Sequence, residues 1–132
     1  MILAGDLLEL AVEHPELGSR VFEPKSGEDM NIMLGGFKSN DDDGNITAFG
    51  TRIDQKNRFP WSAEPTIGAN DGDIDFLQLL TESTLEGNWT FTFINGDVRV
   101  GKGKPVGDLV ENRQAGTIPF KIAGSNRLEL IS

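Results

Sequence analysis

The chain has 132 residues, a formal net charge of -9, no cysteine and one histidine, His14. A chain of this length buries roughly two thirds of the surface its unfolded form exposes, enough for one modest core without staples, and 8 Phe with 2 Trp are too many aromatics for a disordered segment. The lack of thiols excludes a disulfide framework, a thiolate metal centre and a cysteine nucleophile; a lone histidine excludes a His-rich metal site; and the acidic excess opposes phosphate binding, which disfavours a dedicated nucleic-acid binder.

The first residues lack a basic leader and meet Asp6 and Glu9 early, so they do not read as a signal peptide. No apolar run reaches the roughly 18 residues of a membrane span, and a soluble protein is expected. Sixteen Gly and six Pro, spread along the chain without a repeat, favour short elements joined by many turns. The expectation is one domain over residues 1–132, mainly β and mostly antiparallel, as a β-sandwich or half-barrel with one flanking helix and a short N-terminal helix.

In the N-terminal segment 1–20, Leu7, Leu8, Leu10, Ala11 and Val12 follow a possible Asp6 cap, and Pro15 and Gly18 close the pattern, which predicts the short helix over Asp6 to Leu17. Arg20 to Glu23 reads as a strand, Lys25-Ser26-Gly27-Glu28 as a turn, and Met30 to Leu34 as a second strand stopped by Gly35-Gly36. Residues 38–58 are polar and alternate poorly, with an acidic tip at Ser39 to Gly44, and read as an extended loop or protruding hairpin. Phe59 to Ile67 looks extended, but Pro60 and Pro65 assign it to an edge. Asp73 to Ser83, with Phe76, Leu77 and Leu80 behind an Asp cap, predicts the main helix (73–84 at its widest).

From Asn88 the period changes to two. Trp89, Phe91 and Phe93 share a face, Asn95-Gly96 is a strong hairpin signal, and Val98 and Val100 resume the alternation. Ala115 to Ala123 and Arg127 to Ile131 complete a predicted C-terminal sheet over 88–132.

Few motifs carry chemistry. Gly96 to Gly103 fits a phosphate-binding loop except that Gly103 stands where a metal-binding hydroxyl is needed, and the residues between alternate like a strand. Ser39 to Thr47 resembles part of a calcium loop, yet Ser39 and Gly50 occupy the first and last ligand positions, so a solvated turn is the better reading. Asn70 to Asp75 reads as a turn and helix start. His14 has no recognisable nucleophile frame, nothing brings Glu23, Glu28 and Glu64 together as a glycosidase pair, and the sequon at Asn88 falls inside a strand. No catalytic residue, metal or cofactor is expected.

The order of helix 73–83, strand 89–93, Asn95-Gly96 turn, strand 97–101, the Gly103-Lys104-Pro105-Val106-Gly107-Asp108 connection and a terminal strand pair with Ala123-Gly124 resembles the tail tube proteins of long-tailed bacteriophages and the haemolysin-coregulated proteins of type VI secretion. The turn at Lys25 to Glu28, the strand ending Leu34-Gly35-Gly36-Phe37, the long polar loop and Asn57 to Glu64 extend the resemblance to the first half. It implies a virion structural protein, assembled in a bacterial host cytoplasm, whose subunits close into hexameric rings stacked around a channel. DNA would pass through that channel without specific binding. Implied partners are other copies of the chain and sheath, tape-measure, baseplate or terminator proteins, with no membrane. The long loop would reach a neighbour, which makes Phe37, Asn40, Asp41, Asp42, Asp43, Phe49, Arg52, Lys56 and Arg58 candidate self-assembly residues. The alternatives are another tail connector or terminator and a small ligand- or carbohydrate-binding β-sandwich module.

Overall fold

The computed structural model describes residues 6–25, 30–39, 45–53 and 56–131. Over these residues the protein is mainly β, with antiparallel sheets and one helix. Its strands are β1 (Leu7–His14), β2 (Gly18–Phe22), β3 (Ile32–Met33), β4 (Gly36–Ser39), β5 (Asn45–Ile46), β6 (Arg52–Ile53), β7 (Lys56–Phe59), β8 (Trp61–Ala63) and β9 (Thr66–Gly68). Then come helix α1 (Asp73–Glu82), β10 (Gly87–Phe93), β11 (Val98–Val106), β12 (Thr117–Pro119) and β13 (Lys121–Leu130). The principal sheet runs β2-β1-β10-β11-β13-β8-β3, and β9 pairs with β12 separately.

The β10–β11 hairpin is the sequence's alternation made visible. Trp89 and Phe91 are fully buried, and Thr92 pairs with Val98 across the turn. Gly96 takes φ +97 while Asn95 keeps an ordinary negative φ. The Gly96 N–H donates to the Phe93 carbonyl and the Phe93 N–H to that of Asp97. This is a three-residue loop closed by a left-handed glycine, not the two-residue turn that Asn-Gly most often makes.

Residues 7–14 form a strand, so the N-terminal helix predicted over Asp6 to Leu17 is corrected. The buried side chains are Leu10, Val12 and His14, a period of two, whereas Leu8 is 60% exposed. A short run of leucines satisfies helical and strand spacing alike, and pairing on both sides, with β10 and β2, decides for the strand. Pro15 falls in the turn between β1 and β2, where no ladder N–H is needed.

Three further expectations change in detail. The 59–67 segment divides, because Pro60 and Pro65 fall just outside β8 and leave its ladder intact; β8 lies between β13 and β3 instead of at an edge. Strand 97–101 continues to Val106, and Pro105 is accommodated past the end of β10, whose pairing stops at Gly103. The terminal strand pair does not form. The chain leaves the small sheet after Pro119, the Phe120 N–H donates to the Pro65 carbonyl, and β13 runs as one strand between β11 and β8, with an irregularity at Asn126, φ +62.

One face of the principal sheet carries the core. Leu10, Val12, Phe22, Trp89, Phe91, Ile122 and Leu128 from the sheet meet Leu77 and Leu80 of α1, Ile67 of β9 and Ile118 of β12. Phe22 stacks on Trp89 at 6.2 Å, and Phe120 closes on both rings edgewise or tilted. No aspartate caps α1: its cap position is Gly72 at φ +84, and Asp73, the first helical residue, turns to Arg20.

Candidate functional site

The glycines of the phosphate-loop look-alike have a packing role. Gly101, Gly103 and Gly124 make a side-chain-free slot for the indole of Trp61. A Cβ on Gly103 would lie 2.8 Å from Trp61 Cζ2 and 2.6 Å from the Ala123 carbonyl oxygen. The two indoles then donate into the same strand, Trp61 Nε1 to the Lys102 carbonyl at 2.9 Å and Trp89 Nε1 to that of Gly103 at 2.8 Å. No helix follows the motif, so it lacks the strand-to-helix context of a nucleotide cradle.

His14 is buried, and its ring meets the Ser83 hydroxyl at 3.1 Å, a contact spanning 69 positions that sequence reading missed. It is wired against base chemistry. The backbone N–H groups of Glu16 and Leu17 both donate to Nδ1, so that nitrogen holds the lone pair and Nε2 carries the hydrogen toward Ser83 Oγ and the Leu85 carbonyl. A nucleophile's base must accept the hydroxyl proton; here the ring clamps the β1–β2 turn to the end of α1. Arg20 ties the other end of the helix, with Nε donating to Asp73 Oδ1 at 2.6 Å, Nη2 to the Asp71 carbonyl, and the guanidinium 5.7 Å from the Phe76 ring centre. Glu23 and Glu64 are exposed on separate segments, and Glu28 lies outside the described residues. Among the described residues, no cluster of three metal-ligating side chains occurs and no helix is long and apolar enough to cross a membrane.

Two surfaces remain. The first is the face of the principal sheet opposite the core. Register aligns Val21, Ala11, Thr90, Val100 and Glu129 in one row across five strands, and Ser19, Glu13, Asn88, Lys102 and Ser125 in the next. The first row is small and largely apolar, the second polar. A hollow of about 480 Å³ lies on this face over Thr90 and Val100, bordered by Lys102, Arg127 and Glu129.

The second is a hairpin arm. β4 pairs with β7 and β5 with β6, so the stretch expected as a loop or hairpin forms successive antiparallel ladders. At its tip, the Gly50 N–H donates to the Thr47 carbonyl and the Thr51 N–H to Thr47 Oγ1, and Phe49 is 100% exposed. Its base is held to the sheet by a Gly35–Arg127 bridge and by the Leu128 N–H on the Leu34 carbonyl.

Of the predicted assembly residues, Phe37 and Arg58 pair across the β4–β7 ladder, Lys56 pairs with Ser39, Arg52 pairs with Ile46, and Phe49 stands at the tip. Arg58 also borders a hollow of about 500 Å³ at the arm's base, with Leu34, Asn126 and Arg127. Asn40, Asp41, Asp42 and Asp43 lie outside the described residues, as does most of the calcium-loop look-alike. No family model and no curated protein matches the chain.

Proposed function

We propose that the protein is a self-assembling structural subunit of a tube, of the kind found in phage tails, and that its copies form rings, hexameric in the families it resembles, which stack around a channel. The observation that carries this reading is the arm, a ladder-paired hairpin ending in a fully exposed aromatic ring. A two-stranded hairpin alone is marginal in water, so a polar hairpin held at its base is suited to burial against another chain.

The sheet supports the same reading. We read it as a half-barrel, with one face covered by α1 and the β9–β12 pair and the other bare. β2 and β3 are its terminal strands, and open edges are templates for further pairing. Edge-to-edge closure in a ring removes them, and heterologous contacts between unlike surfaces generate either rings or filaments. A charge of -9 per subunit gives transiting DNA a wall that repels phosphate. The site of action is then a virion tail, built in a bacterial cytoplasm, with sheath, tape-measure and terminator or baseplate proteins as neighbours. The interior offers no base to a hydroxyl at His14, which accords with a non-catalytic role.

Negative-stain electron microscopy of concentrated protein, with its mass in solution, tests the reading. Hollow rings or tubes are expected. Rings that never stack would favour a connector or terminator, and a monomer with a saturable ligand would favour a small binding module.

A further inference from the structure

The Phe49 side chain is wholly exposed, more so than any other large apolar side chain whose exposure the structure describes. Its turn is closed by three hydrogen bonds, from Thr47 N–H to the Thr51 carbonyl, from Gly50 N–H to the Thr47 carbonyl and from Thr51 N–H to Thr47 Oγ1. Gly50 adopts φ +85. The ring is thus presented on a preformed support, and an aromatic with two rotatable bonds loses little freedom when it is buried.

The hollow on the bare sheet face has the complementary chemistry. Val100 and the methyl of Thr90, directly paired across β10 and β11, supply the apolar part of the floor, Asn88, Ser125 and Asn126 line it with polar groups, and Lys102 and Arg127 border it with cations, with Glu129 paired to Val100. A flat apolar ring fits such a floor, and bordering cations are attracted to its π face. Within its own chain Phe49 is fully exposed, so its own hollow is not its seat.

We propose that Phe49 of one copy seats in the Thr90–Val100 hollow of the next, between Lys102 and Arg127. This rests on the self-assembly reading of the arm and specifies the arm's receptor. Knob and hollow are different surfaces, so each copy offers one of each and the contact propagates instead of stopping at a dimer.

The cysteine-free sequence permits a direct test. Chains carrying Ala48→Cys and Asn88→Cys together, which keep Phe49 and the floor of the hollow, are treated with a flexible bis-maleimide and run on a denaturing gel, beside an Ala48→Cys/Asp108→Cys control. A dimer, trimer and higher ladder specific to the first pair supports the seat, because the linker joins the two thiols only where position 48 of one copy lies beside the hollow of the next. Only monomer, or a ladder equal to the control, overturns it. In parallel, Phe49→Ser should raise the protein concentration needed for assembly at least about ten-fold, as loss of a buried aromatic anchor does, with the melting curve of the unassembled chain unchanged. Unaltered assembly of Phe49→Ser would also overturn the seat. Unsubstituted protein on the same grid separates the failures: if it assembles while the pair fails to link, the seat alone is wrong, and if it never assembles, the tube reading falls too.

Discussion

Two hairpins in this molecule share one backbone arrangement and meet opposite surroundings. In β10–β11, Trp89 and Phe91 point into a core shared with α1, and both strands have further neighbours in β1 and β13. In the arm, β4 pairs with β7 and β5 with β6, and the tip from Thr47 to Thr51 is exposed. The first hairpin is held by its own chain. The second has a ladder and a tie at its base but no apolar cover at its tip, so changes in the two should separate stability from association.

The largest effect is expected where β13 packs tightest against the first hairpin. In Gly124→Ala the new methyl would collide with the Lys102 carbonyl and the Trp61 indole, backbone on one side and a fully buried ring on the other. Destabilisation of about 4 kcal/mol or more should appear in urea unfolding, above the usual range for overpacking. A mild phenotype would mean that the tryptophan slot is looser than described.

Next is the tie between β2 and the start of α1. Arg20→Ala leaves the buried Asp73 carboxylate without its guanidinium; because Arg20 itself is partly exposed, a loss of about 2 kcal/mol is expected, below that of a fully buried pair. His14→Ala removes the acceptor of two backbone N–H groups and the contact to Ser83, and should cost about 2 kcal/mol by the same unfolding measurement. If either change were silent, the helix would not be held by these ties.

These ties were the part that sequence could not disclose. His14 and Ser83 are 69 positions apart and Arg20 and Asp73 are 53 apart, and no local pattern announces either pair. The 88–100 hairpin and the 73–82 helix were legible because their periods of two and 3.6 are long enough to separate. The five apolar residues between Leu7 and Val12 were not, since a short run fits both periods and the neighbouring strands made the choice. Gly101 and Gly103 misled in the opposite direction: a glycine spacing that suggests a phosphate cradle serves a tryptophan packed from β8, about 40 positions away. Of the candidate site, the arm's location and polarity were readable, but its ladders and the hollow on the bare face depend on cross-strand register.

The smallest effect on stability belongs to the arm. Phe49→Ser should move the unfolding midpoint of the isolated chain by the equivalent of no more than about 0.5 kcal/mol, as for other exposed positions, and any larger shift would show that the ring has an intramolecular role.

The most direct measurement compares the full chain with a variant lacking residues 40–51 by sedimentation velocity over a range of concentrations, with urea unfolding of both. The account predicts that the full chain forms large assemblies, that the deletion sediments as a monomer at every concentration, and that the two unfold at closely similar midpoints. A deletion variant that assembles like the full chain, or a full chain that stays monomeric throughout, would contradict the assignment of the arm to self-assembly.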